Sequence, residues 1–209
     1  MIQAALDRIR LERMIPVVRA PSLKLALSAA QALCDGGISV IEIAMTVPGA
    51  VEVICELARS ASLLIGAGTV LDVAAARNCV QAGAQFLVSP GLDLPTLKFA
   101  RDAHILMLPG ALTPADLLTA WKHGAALAKV FPCGNLGGPS YLRSLKAALP
   151  PMELVPTGGV SLANASQFLA AGALAVGVGG ELVSARALAN GDLAAISASA
   201  RQFKSALAL

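Results

Sequence analysis

The pattern that most restricts this chain is an alternation. Short runs of Val, Ile, Leu, Ala and Phe, each followed by a turn rich in Gly and Pro, alternate with longer Ala/Leu-rich stretches whose apolar residues recur at helical spacing. The short runs predict eight strands, at residues 15–19, 40–44, 63–66, 85–88, 105–108, 127–131, 153–155 and 174–178. After them come VRAPS, GAGT, SPGL, LPGAL, FPCG, PTGG and VGGE, while CDGGIS, QAGAQF, KHGAAL and AAGALA place a Gly just before a strand, where it ends the preceding helix. Successive βα units predict parallel strands. Eight such units closing on themselves make a (β/α)8 TIM barrel, in which the loops after the strands carry the chemistry. The competing fold is an open doubly wound sheet, which calls for GxGxxG after an early strand; GAGTVL lacks the third glycine. No Ser/Pro/Gly-rich linker divides the chain, so residues 1–209 are expected to form one barrel domain.

Composition fits this reading and excludes others. Hydrophobic residues make up 56% of the chain against 14% charged and 3% aromatic, so the core must be aliphatic, as in sheets covered by helices on both sides. The net charge of +3 comes from scattered Lys and Arg with no basic run, which argues against nucleic acid and leaves small anionic molecules as partners. Mean hydropathy is +0.70, and residues 160–180 carry no charge. Ser, Asn, Gln and several glycines interrupt that stretch, so it predicts helix, turn and strand and not a membrane span. The start, MIQAALDRIRLERM, mixes acidic and basic residues where a signal peptide needs an apolar core, and a cytoplasmic protein is expected. Cys34, Cys55, Cys79 and Cys133 include no CxxC pair, consistent with reduced thiols, the first three read as small buried hydrophobes. His104 and His123 show no metal-ligand spacing; neither a metal nor another cofactor is expected.

Three charges stand in or at the ends of strand runs: Arg19 in IPVVRA, Glu42 in VIEIAM and Lys129 in ALAKVF. A barrel strand is apolar toward its helices as well as inside, so neither face gives Lys129 an easy route to water. Burying an ammonium is costly unless it is paired or loses its proton. Two readings follow. One is a Lys129–Glu42 ion pair that fastens the barrel, a weak source of stability because desolvation offsets the attraction. The other is a nucleophilic amine. An ordinary lysine, with a pKa of ~10.4, is neutral only about once in two to three thousand molecules at pH 7, a handicap of roughly 4 to 5 kcal/mol. Partial burial and the nearby cation Arg19 would reduce it. Such an amine attacks a ketone to form an iminium, an electron sink for breaking the adjacent carbon–carbon bond, and Glu42 is the strand-interior carboxylate able to shuttle protons. The glycine pairs Gly158–Gly159 and Gly179–Gly180 follow the seventh and eighth strands, where barrels hold phosphate on backbone N–H groups. Thr69 in GAGT offers a hydroxyl for a carboxylate.

EIAMTVP around Glu42, GAGTVL, SPG, AKVFP around Lys129 and PTGGVS, in this order and spacing, resemble the class I 2-keto-3-deoxy-6-phosphogluconate (KDPG) aldolases and their 6-phosphogalactonate and 4-hydroxy-2-oxoglutarate (KHG) relatives. The resemblance implies a (β/α)8 barrel, a homotrimer, and cleavage of a 2-keto-3-deoxy-6-phospho sugar acid to pyruvate and glyceraldehyde 3-phosphate. It implies that Lys129 forms the Schiff base, Glu42 transfers protons, Thr69 contacts the pyruvyl carboxylate, Pro90 and Phe131 line the pocket, and Gly158 and Gly159 form the phosphate loop. Two departures stand out. Thr46 occupies the place of an Arg found in some members, which leaves Arg19 to take the carboxylate; and Glu181 follows Gly180, where a Ser is common. LGGPSYLRSLKAALP echoes galactonate-type members, so the sugar epimer stays open. A barrel isomerase or synthase acting on a sugar phosphate, and a non-catalytic metabolite-binding barrel, are the alternative functions.

Overall fold

The computed structural model describes residues 2–149 and 151–208. Its elements are α1 (Ile2–Glu12), β1 (Met14–Val18), α2 (Leu23–Asp35), β2 (Val40–Ala44), α3 (Ala50–Leu57), β3 (Leu64–Gly68), α4 (Val73–Gln81), β4 (Phe86–Val88), α5 (Leu94–Asp102), β5 (Leu106–Leu108), β6 (Gly110–Ala111), α6 (Pro114–Lys122), β7 (Leu127–Val130), α7 (Pro139–Ala148), β8 (Glu153–Pro156), α8 (Ala165–Ala170), β9 (Val176–Val178), α9 (Ala185–Ala189) and α10 (Leu193–Leu207). Each of the eight predicted strands is present within a few residues of its expected bounds. The ends differ where side chains leave the ladder: Arg19 and Phe131 lie just beyond β1 and β7.

All the paired strands run parallel, in the order β5-β4-β3-β2-β1-β9 and β6-β7-β8. The short β6 was not expected from the sequence. Pro109 has no N–H to give to a ladder, so it splits one extended segment into β5 and β6. Its carbonyl still accepts from Lys129 N at 3.0 Å, carrying the pairing across to β7. At the other side, Leu174 N donates to Leu154 O at 2.9 Å and Thr157 bridges Gly177, linking β8 to β9. The result is a curled parallel sheet with helices in the connections.

Period-2 alternation sorts the strand residues. Val40, Leu64, Phe86, Leu106, Leu127 and Val155 point to the inner face, where Leu6 and Ile9 of α1 join them. Their neighbours Ile41, Ile65, Leu87, Met107 and Ala128 pack outward against helix residues such as Leu33, Ile54 and Ala100. Both faces are thereby buried, which is why the strands read as unbroken apolar runs.

The returns from helix to strand are built alike. After α4, Gly83 takes a left-handed φ of 102°, its N–H donates to Val80 O at 3.0 Å, and Ala84 N donates to Cys79 O at 3.0 Å, satisfying carbonyls the helix leaves open. Gly37, Gly124 and Gly172 repeat the arrangement, and exposed His104 adopts it without being a glycine, with a φ of 56°. At helix starts, Asp72 and Asp93 cap α4 and α5, and Thr113 with Asp116 forms a reciprocal capping box on α6. The thiols depart from expectation: Cys79 and Cys133 are buried, Cys34 is half-buried and Cys55 is exposed, because Cys55 lies on the solvent side of α3. Residues 160–180 form the turn, α8 and β9, and no helix among the described residues is long and apolar enough to cross a membrane.

Candidate active site

Above the aliphatic layer, the inner face changes character. Register aligns Val17, Glu42 and Gly66 across β1, β2 and β3, and aligns Gly110, Lys129 and Val155 across β6, β7 and β8. Glu42 and Lys129 have the parity of Val40 and Leu127, so both point inward, and they are only 2% and 3% exposed. Glycines make the room. A Cβ on Gly68 would collide with the Glu42 carboxyl, and a Cβ on Gly66 would collide with the Phe86 ring. In both places a strand glycine marks close approach of a side chain.

Glu42 Oε1 is buried with no hydrogen-bond partner, and no ion pair within 4.0 Å joins Glu42 to Lys129 among the described residues. An orphaned buried acceptor of this kind is expensive in a purely structural role. Lys129 Nζ lies 5.1 Å from the centre of the Phe131 ring. Burial is the main influence on both groups. It pushes the Lys129 amine below the ordinary lysine range, opposed by the Glu42 carboxylate and reinforced by the Arg19 charge. It pushes the Glu42 carboxyl upward against the pull of Lys129 and Arg19. Each group is therefore shifted toward its neutral form, which favours a nucleophilic amine and a carboxyl able to hold and return a proton.

The other expected residues all follow the C-terminal ends of strands, at the same end of the sheet as this pair, but the cavity lined by Arg19, Phe131 and the glycine pairs includes neither Glu42 nor Lys129, nor Thr69 or Pro90. Thr69, just after β3, is half-buried and has a left-handed φ of 60°, a strained conformation for a β-branched residue. Bonds on either side hold it there: Met45 N to Gly68 O at 2.8 Å and Val70 N to Val88 O at 3.1 Å. Pro90 follows β4 and is fixed by a residue the sequence reading did not select. Buried Ser89 donates through Oγ to Gly91 O at 2.7 Å and accepts from Gly110 N at 3.2 Å. A Cβ on Gly110 would strike the Pro90 backbone.

Phe131, Arg19 and the glycine pairs line a cavity of about 330 Å³, with Glu181 and Ser161 at its edge. Gly158 and Gly159 have φ of 81° and 78°. Their carbonyls are tied to the protein: Gly134 N donates to Gly158 O at 2.8 Å, and Asn164 Nδ2 donates to Gly159 O at 2.9 Å while Asn164 Oδ1 accepts from Ser161 N at 2.8 Å. The N–H groups of Gly159 and Gly180 meet no protein acceptor among the described residues, leaving them available to an anion. Thr157, buried beneath this loop, fits against Gly177, whose missing Cβ leaves room for its side chain. Thr157 and Asn164 were not picked out from the sequence. Short polar side chains beside glycines are common in any turn, and their roles depend on contacts that only the fold creates.

Arg19 is exposed, with Nη1 3.1 Å from where a Cβ on Gly179 would lie. Thr46 and Glu181 are also exposed. A wider hollow of about 780 Å³ lies beside α1 and α10, but its cations are already engaged: Arg8 with Ser39 O and Ser62 O, Arg13 with Leu207 O, and Lys204 with Glu12 and Gly37 O. Among the described residues, no three His, Cys, Asp or Glu side chains are grouped so as to hold a metal ion.

Known proteins share this arrangement of chain. The model of the family described as "Aldolase: KDPG and KHG aldolase" matches residues 6–199. The KHG/KDPG aldolase of Escherichia coli K12 is 35% identical over 189 residues, covering 90% of this chain and 89% of its own. The solved 2-keto-3-deoxy-6-phosphogluconate aldolase of Zymomonas mobilis ZM4, with 3-phosphoglycerate, superposes with a TM-score of 0.89 at 30% identity over 98% of this chain and 97% of its own. The KDPG aldolase of Legionella pneumophila, with pyruvate captured at low pH as a covalent carbinolamine, gives 0.88 at 29% identity over 94% and 96%. A family match across most of the residues, together with relatives alike in sequence and in three dimensions, leads to one conclusion: the chain belongs to the KDPG and KHG aldolase family.

Proposed function

We propose that the protein is a class I aldolase in which Lys129 forms the Schiff base, cleaving a 2-keto-3-deoxy-6-phospho sugar acid to pyruvate and glyceraldehyde 3-phosphate and, by the same chemistry, 4-hydroxy-2-oxoglutarate to pyruvate and glyoxylate. The observation that carries the reading is the buried Lys129 amine, held below the ordinary lysine range, on the same inner face as a carboxyl with an unpartnered oxygen. The carbinolamine of pyruvate in the Legionella pneumophila relative supports it.

Neutral Lys129 attacks the C2 ketone, and Glu42 supplies the proton that turns the oxygen into the carbinolamine hydroxyl. Glu42 then assists loss of water, giving the C2 iminium. A base must take the proton from the C4 hydroxyl, and Glu42 is the carboxylate available for it. As the C4 oxygen becomes a carbonyl, the C3–C4 bond breaks and its electron pair moves into the iminium, leaving an enamine on Lys129. Protonation of the enamine at C3 and hydrolysis release pyruvate and free the amine. Thr69 orients the C1 carboxylate, Pro90 and Phe131 wall the pocket, and Gly158, Gly159, Gly179 and Gly180 hold the distal phosphate through N–H groups. On this reading the two hydrogen-bonded sheets are one closed (β/α)8 barrel spanning residues 1–209, working in the cytoplasm as a homotrimer on a small keto acid. The linking bonds between β5, β7, β8 and β9 support the barrel, and the sequence resemblance supports the assembly.

The test is reduction with borohydride in the presence of pyruvate, followed by peptide mass analysis. A pyruvate-derived adduct on Lys129, absent from Lys129→Ala, is expected. Failure to trap it at saturating pyruvate would require the mechanism to be abandoned.

A further inference from the structure

We infer that Arg19 serves the distal, phosphate-bearing end of the substrate and not the carboxylate, so that it discriminates phosphorylated from unphosphorylated keto acids. The inference rests on the aldolase reading above and reassigns one residue within it.

The first observation is direction. Arg19 leaves the end of β1, which lies between β2 and β9 in the sheet. Its guanidinium leans toward β9, with Nη1 3.1 Å from the Cβ position of Gly179, closer than most contacts to a real Cβ. Thr69, to which the proposed function gives the carboxylate, follows β3, two strands away on the other side. At the usual strand spacing that is about 10 Å, several times the width of a carboxylate group. To reach a carboxylate at Thr69 the guanidinium would have to swing away from Gly179, back across β2.

The second observation is charge. Among the residues lining the glycine cavity, Arg19 is the single cation, and Glu181 at the edge is the single anion. Without Arg19, a phosphate entering beside Gly159 and Gly180 would meet N–H dipoles and a carboxylate. With it, the cavity offers a charged fork suited to phosphate oxygens. The third observation is availability: the guanidinium makes no hydrogen bond or ion pair to protein among the described residues, so its donors are free for a ligand.

The experiment compares kcat/KM for the 6-phospho substrate with kcat/KM for its unphosphorylated counterpart in the wild type, Arg19→Gln and Arg19→Lys. Any influence of Arg19 on Lys129 acts on both substrates and cancels in the ratio. The ratio is expected to fall by about tenfold to a hundredfold in Arg19→Gln, the range for losing a hydrogen bond to a charged group, with partial recovery in Arg19→Lys. An unchanged ratio, with both substrates affected equally, overturns the inference. A companion measurement does not depend on turnover: inorganic phosphate should raise the melting temperature of the wild type and do so less in Arg19→Gln, and equal shifts count against it. If pyruvate cannot be trapped on Lys129 in the wild type, the aldolase reading falls, while the phosphate shift still judges Arg19.

Discussion

Replacing Gly68 by Ala tests the site where its geometry is tightest. The glycine has an ordinary β conformation, so an alanine backbone is tolerated and the effect is purely one of space. The added methyl would lie 2.5 Å from Glu42 Cδ and 2.7 Å from Cγ, where an ordinary contact between carbons is about 3.5–4.0 Å, so the carboxyl must move by about 1 Å. Overpacking of this size costs about 1–3 kcal/mol of stability, and a chain of this length loses about 2–4 °C of melting temperature per kcal/mol. The catalytic cost is larger. A misplacement of about 1 Å lowers rates roughly a hundredfold, within the range that acid–base assistance supplies. The expected Gly68→Ala enzyme is folded by circular dichroism, melts several degrees lower, traps pyruvate slowly but to full occupancy, and has kcat reduced about a hundredfold. Because both changes act through one carboxyl, Gly68→Ala/Glu42→Gln should be little worse than Glu42→Gln alone. A kcat within about twofold of wild type, or full additivity in the double variant, would show that the carboxyl over Gly68 does not do the proton transfer assigned to it.

Two further outcomes follow. The pH at which pyruvate trapping reaches half its maximal rate reports Lys129: Arg19→Gln removes a charge that lowers the amine's pKa and should move this midpoint up, while Glu42→Gln removes one that raises it and should move it down; shifts of the opposite sign would contradict the electrostatics. Between the folded pKa of Lys129 and the ordinary value of 10.5, the folded protein binds fewer protons than the unfolded chain, so this group's contribution to stability increases as pH rises through that window. Far from the site, Thr113→Ala removes half of the capping box on α6. It should cost about 1 kcal/mol, or roughly 2–4 °C in melting temperature, with kcat unchanged by more than a fraction.

The alternation was legible because strands buried on both faces keep the same chemistry at every position, so their boundaries show as Gly and Pro. Lys129 and Glu42 stood out for the complementary reason: a charge inside such a run is conspicuous, and the choice between a fastening ion pair and chemistry had to wait for the fold, in which no ion pair within 4.0 Å joins the two among the described residues. What escaped depends on partners distant in sequence. Ser89 gains its meaning from Gly110, the short β6 from the donor Pro109 lacks, and the clamp on the Gly158–Gly159 turn from Asn164 folding back onto Gly159. Thr69 was selected for its hydroxyl, yet its left-handed backbone is invisible in GAGT, where the glycines beside it would be the usual candidates for that conformation. The direction in which Arg19 leans is likewise a property of Gly179 and of β9 lying next to β1.

The inner face is filled by large aliphatic side chains at one end and thinned to Gly66, Gly68, Gly110 and Gly177 toward the other. Each of these glycines yields its space to another group, namely the Phe86 ring, the Glu42 carboxyl, the Pro90 backbone and the Thr157 side chain, so the upper layer is largely built from polar and backbone atoms where the lower one is built from aliphatic carbon. A small keto acid entering the upper layer takes up volume that in the lower layers belongs to leucine and valine, and so acts for the duration of its stay as a piece of the interior. A keto acid bound there is expected to add to the contacts that hold the interior together, so saturating pyruvate should raise the melting temperature of the protein.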